Sequence, residues 1–326
     1  MKATAFAPAN IAFIKYWGKS DTLLRIPTNP SISMNLSAAT TTTTVEFSDA
    51  FDQDMVTLID GDFSQSEKQK VIAHLDRIRK LAKVSMKAKV VTKNSFPKGA
   101  GVASSASGFA ALTLAGCLAA GMSLSEKELT VLARIGSGSA CRSVPDGFVK
   151  WVGGSTSEES FAYSLYPAKY WDLRDVLVVV DDKEKAVATT AGMEAATTSP
   201  FWHNRLKTVN ERISLVECAL ATKDFRLLGT TIEEECLDMH HVMQTQASPI
   251  CYWNDSTKEI MNAVMTWRKS GLPVYFTIDA GPNVHLICQE LDEQAVVKKA
   301  QTVEGVRQIV VNRPSQGAHM ITKHLF

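Results

Sequence analysis

The chain has 326 residues, 45% of them hydrophobic, with 35 Lys+Arg against 34 Asp+Glu for a formal net charge of +1. That length suffices for one large core or two moderate ones, and the near-neutral balance gives no electrostatic reason to expect nucleic acid or an anionic membrane as partner. No stretch reaches the roughly 18 apolar residues of a bilayer span, and Met1–Pro8 has neither an apolar run nor a cleavage pattern, so a soluble, cytoplasmic protein is expected. Cys117, Cys141, Cys218, Cys236, Cys251 and Cys288 include no C-x-x-C pair; reduced, buried thiols are expected rather than disulfides or a zinc site.

Five consecutive threonines, residues 40–44, lead into Val45-Glu46-Phe47, a β-branched run that reads as strand. Residues 67–83 place Val71, Ile72, Leu75, Ile78 and Leu81 at helical spacing. Lys87 to Thr92 reads as strand, and an Ala/Leu-rich helix follows from about Ser105 to Ala120. Ser125 and Glu128 have capping-box spacing, so a helix should start there and run to about Ile135, where Gly136 to Gly138 break it. Val176 to Val180 is an apolar, β-branched run that reads as a buried strand. It follows an irregular stretch over 153–175, which sets the expected domain boundary, 1–175 and 176–326. Further on, 203–222, 224–243 and 256–270 read as helices, and 274–278, 284–288 and 309–311 as strands. Such mixed elements predict an α+β protein.

Four segments carry chemistry. Pro97 to Gly108 is a Gly/Ser-rich loop running into a helix, whose free N–H groups and positive dipole end suit a polyphosphate. Its spacing fits neither a Walker loop nor a dinucleotide fingerprint, and a plain helix-capping turn explains it equally well. Gly136 to Ser143 is a second small-residue loop, and its Arg142 offers a fork for carboxylate or phosphate; a solvated arginine is the plainer reading. Asp279 stands after an apolar strand and before Gly281-Pro282. A partly buried carboxylate there needs a partner or a task, although an Asx-type turn is the commoner fate. Asn10 to Lys19 sets Lys15 and Lys19 around Tyr16-Trp17, a pattern that fits either a phosphorylated ligand or an edge strand with solvated lysines.

Taken together, Asn10–Lys19 (NIAFIKYWGK), Pro97–Gly108, Gly136–Ser143 (GSGSACRS) and Phe276–Asn283 (FTIDAGPN) resemble the diphosphomevalonate decarboxylases of the GHMP kinase superfamily. Gly192-Met193, Thr198-Ser199-Pro200 and Met239-His240 fit the same text. The resemblance implies a two-lobed fold: an N-terminal ATP-binding lobe like domain 2 of ribosomal protein S5, and a ferredoxin-like C-terminal lobe, with the site in the cleft between. It implies ATP-dependent decarboxylation of 5-phosphorylated mevalonate through a 3-phosphorylated intermediate, in isoprenoid biosynthesis. Asp279, Arg142 and Lys19 would be catalytic, with Asp279 on the 3-hydroxyl and Arg142 on the substrate carboxylate. Tyr16, Lys19, Gly138, Ser139, Arg142 and Ser199 would hold the substrate. Pro97, Gly99, Gly101, Val102, Ala103, Ser104, Ser105 and Ser107 would cradle ATP, with Ser105 facing Mg²⁺. A homodimer is also implied.

Two departures bear on the substrate. Ser20 stands where the resemblance implies a basic residue, and Pro145-Asp146-Gly147 stands where it implies Tyr-Gly-Gly. Both changes disfavour a doubly phosphorylated tail on Coulomb grounds, so mevalonate 5-phosphate competes with the 5-diphosphate. A 3-kinase that stops before decarboxylation and a non-catalytic nucleotide-binding protein are the rival readings. His240 and His241 read as core or supporting residues, Met239 and Met243 as core, and Glu233-Glu234-Glu235 as a solvated face.

Overall fold

The computed structural model describes residues 1–326 apart from 60, 97–103 and 182–188, and apart from the side chains of 190 and 191. In chain order the elements are β1 (Lys2–Ile14), β2 (Lys19–Asp21), β3 (Ile26–Pro27), β4 (Ser31–Ser48), β5 (Met55–Ile59), α1 (Gln65–Ala82), β6 (Lys87–Asn94), α2 (Ser104–Ala119), α3 (Glu126–Gly136), a 3-10 turn (Gly138–Ser143), β7 (Phe148–Trp151), β8 (Ala162–Tyr166), β9 (Leu173–Val179), α4 (Thr189–Ala195), α5 (Trp202–Thr222), α6 (Phe225–Thr245), α7 (Asp255–Lys269), β10 (Tyr275–Thr277), β11 (Val284–Gln289), α8 (Glu293–Ala300), β12 (Gln308–Asn312) and β13 (His319–Ile321). Among the described residues, no helix is long and apolar enough to cross a membrane.

Strand β4 organises the first sheet. It pairs along its length with β1, through its second half with β6 and through its start with β7. Strand β5 joins β6 in parallel, β8 extends β7, and β13 lies antiparallel to β1. Pro8 has no N–H to donate, and the β1–β4 register shifts between Pro8 and Ala9. The threonine run sits inside this sheet with its hydroxyls satisfied: Thr44 bonds Thr4 at 2.7 Å and Thr43 bonds Thr92 at 3.1 Å. The second sheet is antiparallel, in the order β10-β11-β9-β12. Strand β9 begins at Leu173, so a division at 175/176 runs through it, and the last strand, β13, lies with the first sheet.

One apolar cluster joins the two halves of the chain. Ile11, Phe13, Met34 and Phe148 pack with Val209, Val216 and Ile232 of α5 and α6 and with Ile287 of the second sheet. A second cluster buries β9, β10 and β11 against α7 and α8, and a third buries β1 and β4 against α1 and α2. Helices α1 and α3 open with complete capping boxes, Ser64 with Glu67 and Ser125 with Glu128.

Four local expectations are corrected. Leu81 is 56% exposed, because α1 turns Val71, Leu75 and Ile78 inward with His74 and Arg79 instead. Gly136 is the last residue of α3, and Gly138 to Ser143 form a 3-10 turn rather than an open loop. Cys218 and Cys251 are exposed, while the other four cysteines are buried, and all six are free. Glu233 and Glu235 are buried, not solvated, because each has an arginine: Arg268 meets Glu233 at 2.8 Å and Arg205 meets Glu235 at 2.5 Å.

Candidate active site

The Asp279 side chain, 29% accessible, meets Lys15 Nζ at 2.7 Å. Lys15 comes from the end of β1 and is 1% exposed. Its N–H donates to Glu235 Oε1 at 3.1 Å and its carbonyl accepts from Asn29 Nδ2 at 3.0 Å. Glu235 in turn is held by the buried Arg205. A solvated role for Lys15, one of two readings open from sequence, is thereby excluded. The structure makes Lys15 the direct partner of Asp279, a pairing across 264 residues that no local spacing signals.

Helix α6 fixes the turn that carries Asp279. Glu233 accepts from the Phe276 N–H at 3.0 Å, Cys236 Sγ accepts from the Ile278 N–H at 3.1 Å, and His240 Nε2 lies 3.3 Å from the Ile278 carbonyl. These side chains lie at i, i+3 and i+7, one face of the helix. Burial pushes the His240 pKa down to about 3, so the ring is neutral and Nε2–H is the donor to Ile278. Its ring packs on Trp253 with centroids 4.6 Å apart.

Arg142 is supplied by the 3-10 turn and is 3% exposed. Its Nη1 donates to Ser31 Oγ at 2.6 Å and its Nε to Asn10 Oδ1 at 3.2 Å. Asn10 is itself fixed, donating to Ser143 Oγ at 2.8 Å and to the Ser139 carbonyl at 3.2 Å. No partner holds Nη2 among the described residues, so one arm of the fork is open to a ligand. Burial lowers the Arg142 pKa, and Asp279 is among the charges that oppose this. Burial alone would raise the Asp279 carboxyl; Lys15, His285 and Arg142 outweigh it and hold it below the usual carboxylate range. Lys15 and Arg142 against Asp279 leave one positive charge uncompensated, which suits a carboxylate ligand.

Tyr16 stands over Gly138. A Cβ at Gly138 would come within 2.6 Å of Tyr16 Cε1, so only glycine admits the ring there. The Tyr16 hydroxyl is buried with no hydrogen-bond partner among the described residues, and burial pushes its pKa up. An orphaned hydroxyl of this kind is best explained by a ligand that completes it. Gly18 turns the chain at φ +102°, and a Cβ there would meet Trp202 at 2.3 Å. Lys19 follows, half-buried, and burial lowers its pKa, with Arg25 adding to the effect and Glu194 opposing it.

Other expected residues sit apart or fall outside view. Ser199 is buried, its hydroxyl 2.7 Å from Thr245 Oγ1, and no contact joins it to Arg142 or Asp279. Ser104 and Ser105 open α2, with Ser105 exposed and 3.2 Å from Ser137 Oγ. Ser107 is fully buried and turned inward, its hydroxyl 2.7 Å from Thr41 Oγ1, which removes it as a side-chain donor to phosphate. Pro97, Gly99, Gly101, Val102 and Ala103 lie outside the described residues. Asp146 accepts from the Ala168 N–H at 3.4 Å. Its charge is felt at Glu126, whereas the charges felt at Lys19 are those of Arg25 and Glu194. Asp146 Oδ1 is buried with no hydrogen-bond partner among the described residues.

No group of three His, Cys, Asp or Glu among the described residues could hold a metal ion.

Residues 7–162 match the diphosphomevalonate decarboxylase-like N-terminal domain, and residues 176–319 match the mevalonate 5-diphosphate decarboxylase C-terminal domain. The diphosphomevalonate decarboxylase of Candida albicans is 36% identical over 313 residues, covering 90% of this chain and 86% of that one. The crystal structure of mevalonate diphosphate decarboxylase from Staphylococcus aureus is 37% identical, with a TM-score of 0.94 and 98% of each chain covered. MDDEF in complex with MVAPP, AMPPCP and magnesium is 37% identical, with a TM-score of 0.93 and 99% of each chain covered.

Proposed function

The chain belongs to the diphosphomevalonate decarboxylase family, and from that premise we propose how its own residues carry out the ATP-dependent decarboxylation of 5-phosphorylated mevalonate. The fold is the two-lobed α+β fold of GHMP kinases. One observation carries the assignment of roles: Asp279, paired with the buried Lys15, faces an arginine with one open arm.

In this reading Arg142 takes the substrate carboxylate and Asp279 takes the 3-hydroxyl. The hydroxyl oxygen bonds to the γ-phosphorus of ATP as ADP leaves. Phosphoryl transfer passes through a loose transition state in which the hydroxyl proton leaves late, to the Asp279 carboxylate. A carboxylate held below its usual pKa is a weak proton acceptor, so orientation of the hydroxyl is the larger part of its work. In the second step the bond between carbon 2 and the carboxylate breaks. Its electron pair forms the new double bond, the carbon–oxygen bond at carbon 3 breaks, and phosphate and carbon dioxide depart. Lys15 keeps Asp279 ionised and in place throughout. Tyr16, Lys19, Gly138 and Ser139 line the phosphate end.

Magnesium bound with ATP would neutralise phosphate charge, and Ser105 at the exposed start of α2 is the side chain offered to it. That helix has no acidic residue in its first turn to repel phosphate. Six free cysteines support a reducing, cytoplasmic setting, and a homodimer rests on family resemblance.

The test is an assay with ATP and mevalonate, its 5-phosphate or its 5-diphosphate, with products identified by mass. Isopentenyl diphosphate with stoichiometric carbon dioxide is expected from the 5-diphosphate. A 3-phosphorylated product without carbon dioxide would make the chain a 3-kinase instead.

A further inference from the structure

Resting on the substrate reading above, we propose that Arg25 is a specificity-determining residue that grips the terminal phosphate of a 5-diphosphate tail, supplying the positive charge that Ser20 does not.

Three observations place it there. Arg25 lies in the turn between β2 and β3 with φ 53°. Among the described residues, the other non-glycine positions with positive φ, Lys83 and Lys223, are left-handed helix caps. A side chain held in that conformation outside a cap is strained and marks a position where the residue type matters.

The turn is then stitched to the end of α3 from both sides. Arg25 Nε donates to the Ile135 carbonyl at 3.0 Å, and Arg134 Nε donates to the Leu24 carbonyl at 2.9 Å. That anchor lies three residues before Gly138, over which Tyr16 stands with its unpaired hydroxyl. With Nε used in the anchor, neither Nη of Arg25 has a partner among the described residues.

Last, Arg25 is surrounded by its own sign of charge. Its field lowers the pKa of Lys19 and of the half-buried Arg77, and no ion pair neutralises any of the three among the described residues. Glu194 offsets part of this at Lys19 and Asp76 part of it at Arg77. Arg25 also acts on the Tyr16 phenol, whose hydroxyl is unpaired, so Arg25 and Lys19 together match a ligand group with more than one negative charge, which is the chemistry of a diphosphate rather than of a single phosphate.

The experiment compares Arg25→Gly and Arg25→Lys with wild type, on both 5-phosphorylated mevalonates. Glycine relieves the positive φ but also removes the bond to the Ile135 carbonyl, so thermal melting of both variants against wild type separates loss of the fold from loss of the charge. Losing one charge-assisted contact should raise KM for the 5-diphosphate roughly 10- to 100-fold, leave kcat within about 3-fold, and change KM for the 5-phosphate by less than about 3-fold. Lysine should restore most of the preference. Equal KM increases for both substrates, or no change for either, would overturn the assignment of Arg25 alone. A wild-type protein that neither binds nor turns over either compound would overturn the substrate reading, and Arg25 with it.

Discussion

Lys15 and Asp279 should act as one unit, and a double-mutant cycle of Lys15→Met and Asp279→Asn measures whether they do. At 2.7 Å, and with an effective dielectric near 20, the Coulomb attraction is about 6 kcal/mol. Taking Lys15 almost wholly out of water returns much of this, so a coupling energy of about 2 to 4 kcal/mol is expected from urea unfolding of the four proteins. Asp279 keeps some solvent contact and Arg142 as a neighbour, so Lys15→Met alone should destabilise by about 2 kcal/mol. In turnover, each single variant should lose about 100- to 1,000-fold in kcat, and the double variant little more than the worse single one. The pH profile adds a check on the sign. A carboxyl whose folded pKa lies below its unfolded value, about 3.9, contributes stability above that value and loses it as pH falls through the folded pKa. Wild-type activity should therefore fall only below the usual carboxylate range, and Lys15→Met should move that acid limb upward. Additive stabilities, with coupling under about 0.5 kcal/mol, together with an unmoved acid limb, would refute the idea that Lys15 sets the state of Asp279.

Gly138→Ala places a methyl group against the Tyr16 ring; KM for the substrate should rise at least about 10-fold and stability fall by about 1 to 3 kcal/mol, as steady-state kinetics and denaturant titration can check. Glu235→Gln removes the charge that holds Arg205 and weakens the acceptor of the Lys15 N–H; unfolding free energy should drop by about 3 to 5 kcal/mol, read by denaturant titration. His240→Phe keeps the ring against Trp253 but loses the bond to the Ile278 carbonyl; kcat should fall about 10-fold at unchanged nucleotide affinity, measured by turnover and by ATP titration.

What the sequence reveals here follows the range of the interaction involved. Capping at Ser125 is settled within four residues and the apolar spacing over 67–83 within a few turns, so α3 and α1 are legible, and the β-branched run at 176–180 commits itself to a buried strand. Arg142 and Asp279 stand out because each is a charge set among small or apolar neighbours. Lys15 does not, since its text is equally that of an edge strand, and its meaning arises only when β1 is brought against the turn after β10. The same holds for the acidic run 233–235. Read alone it is a wet helix face; in the fold, one carboxylate holds Phe276 and the next but one holds Lys15, so the run supports both halves of the Lys15–Asp279 pair. Charge counted along the chain misleads for a related reason. Asp146 lies four residues from Arg142 yet turns one carboxylate oxygen to the Ala168 N–H, while Arg25 reaches the end of α3 across 110 residues. The charge that a sum over sequence neighbours at Ser20 omits is that of Arg25, which acts on Lys19 in the fold; the proposed grip on a second phosphate rests on it.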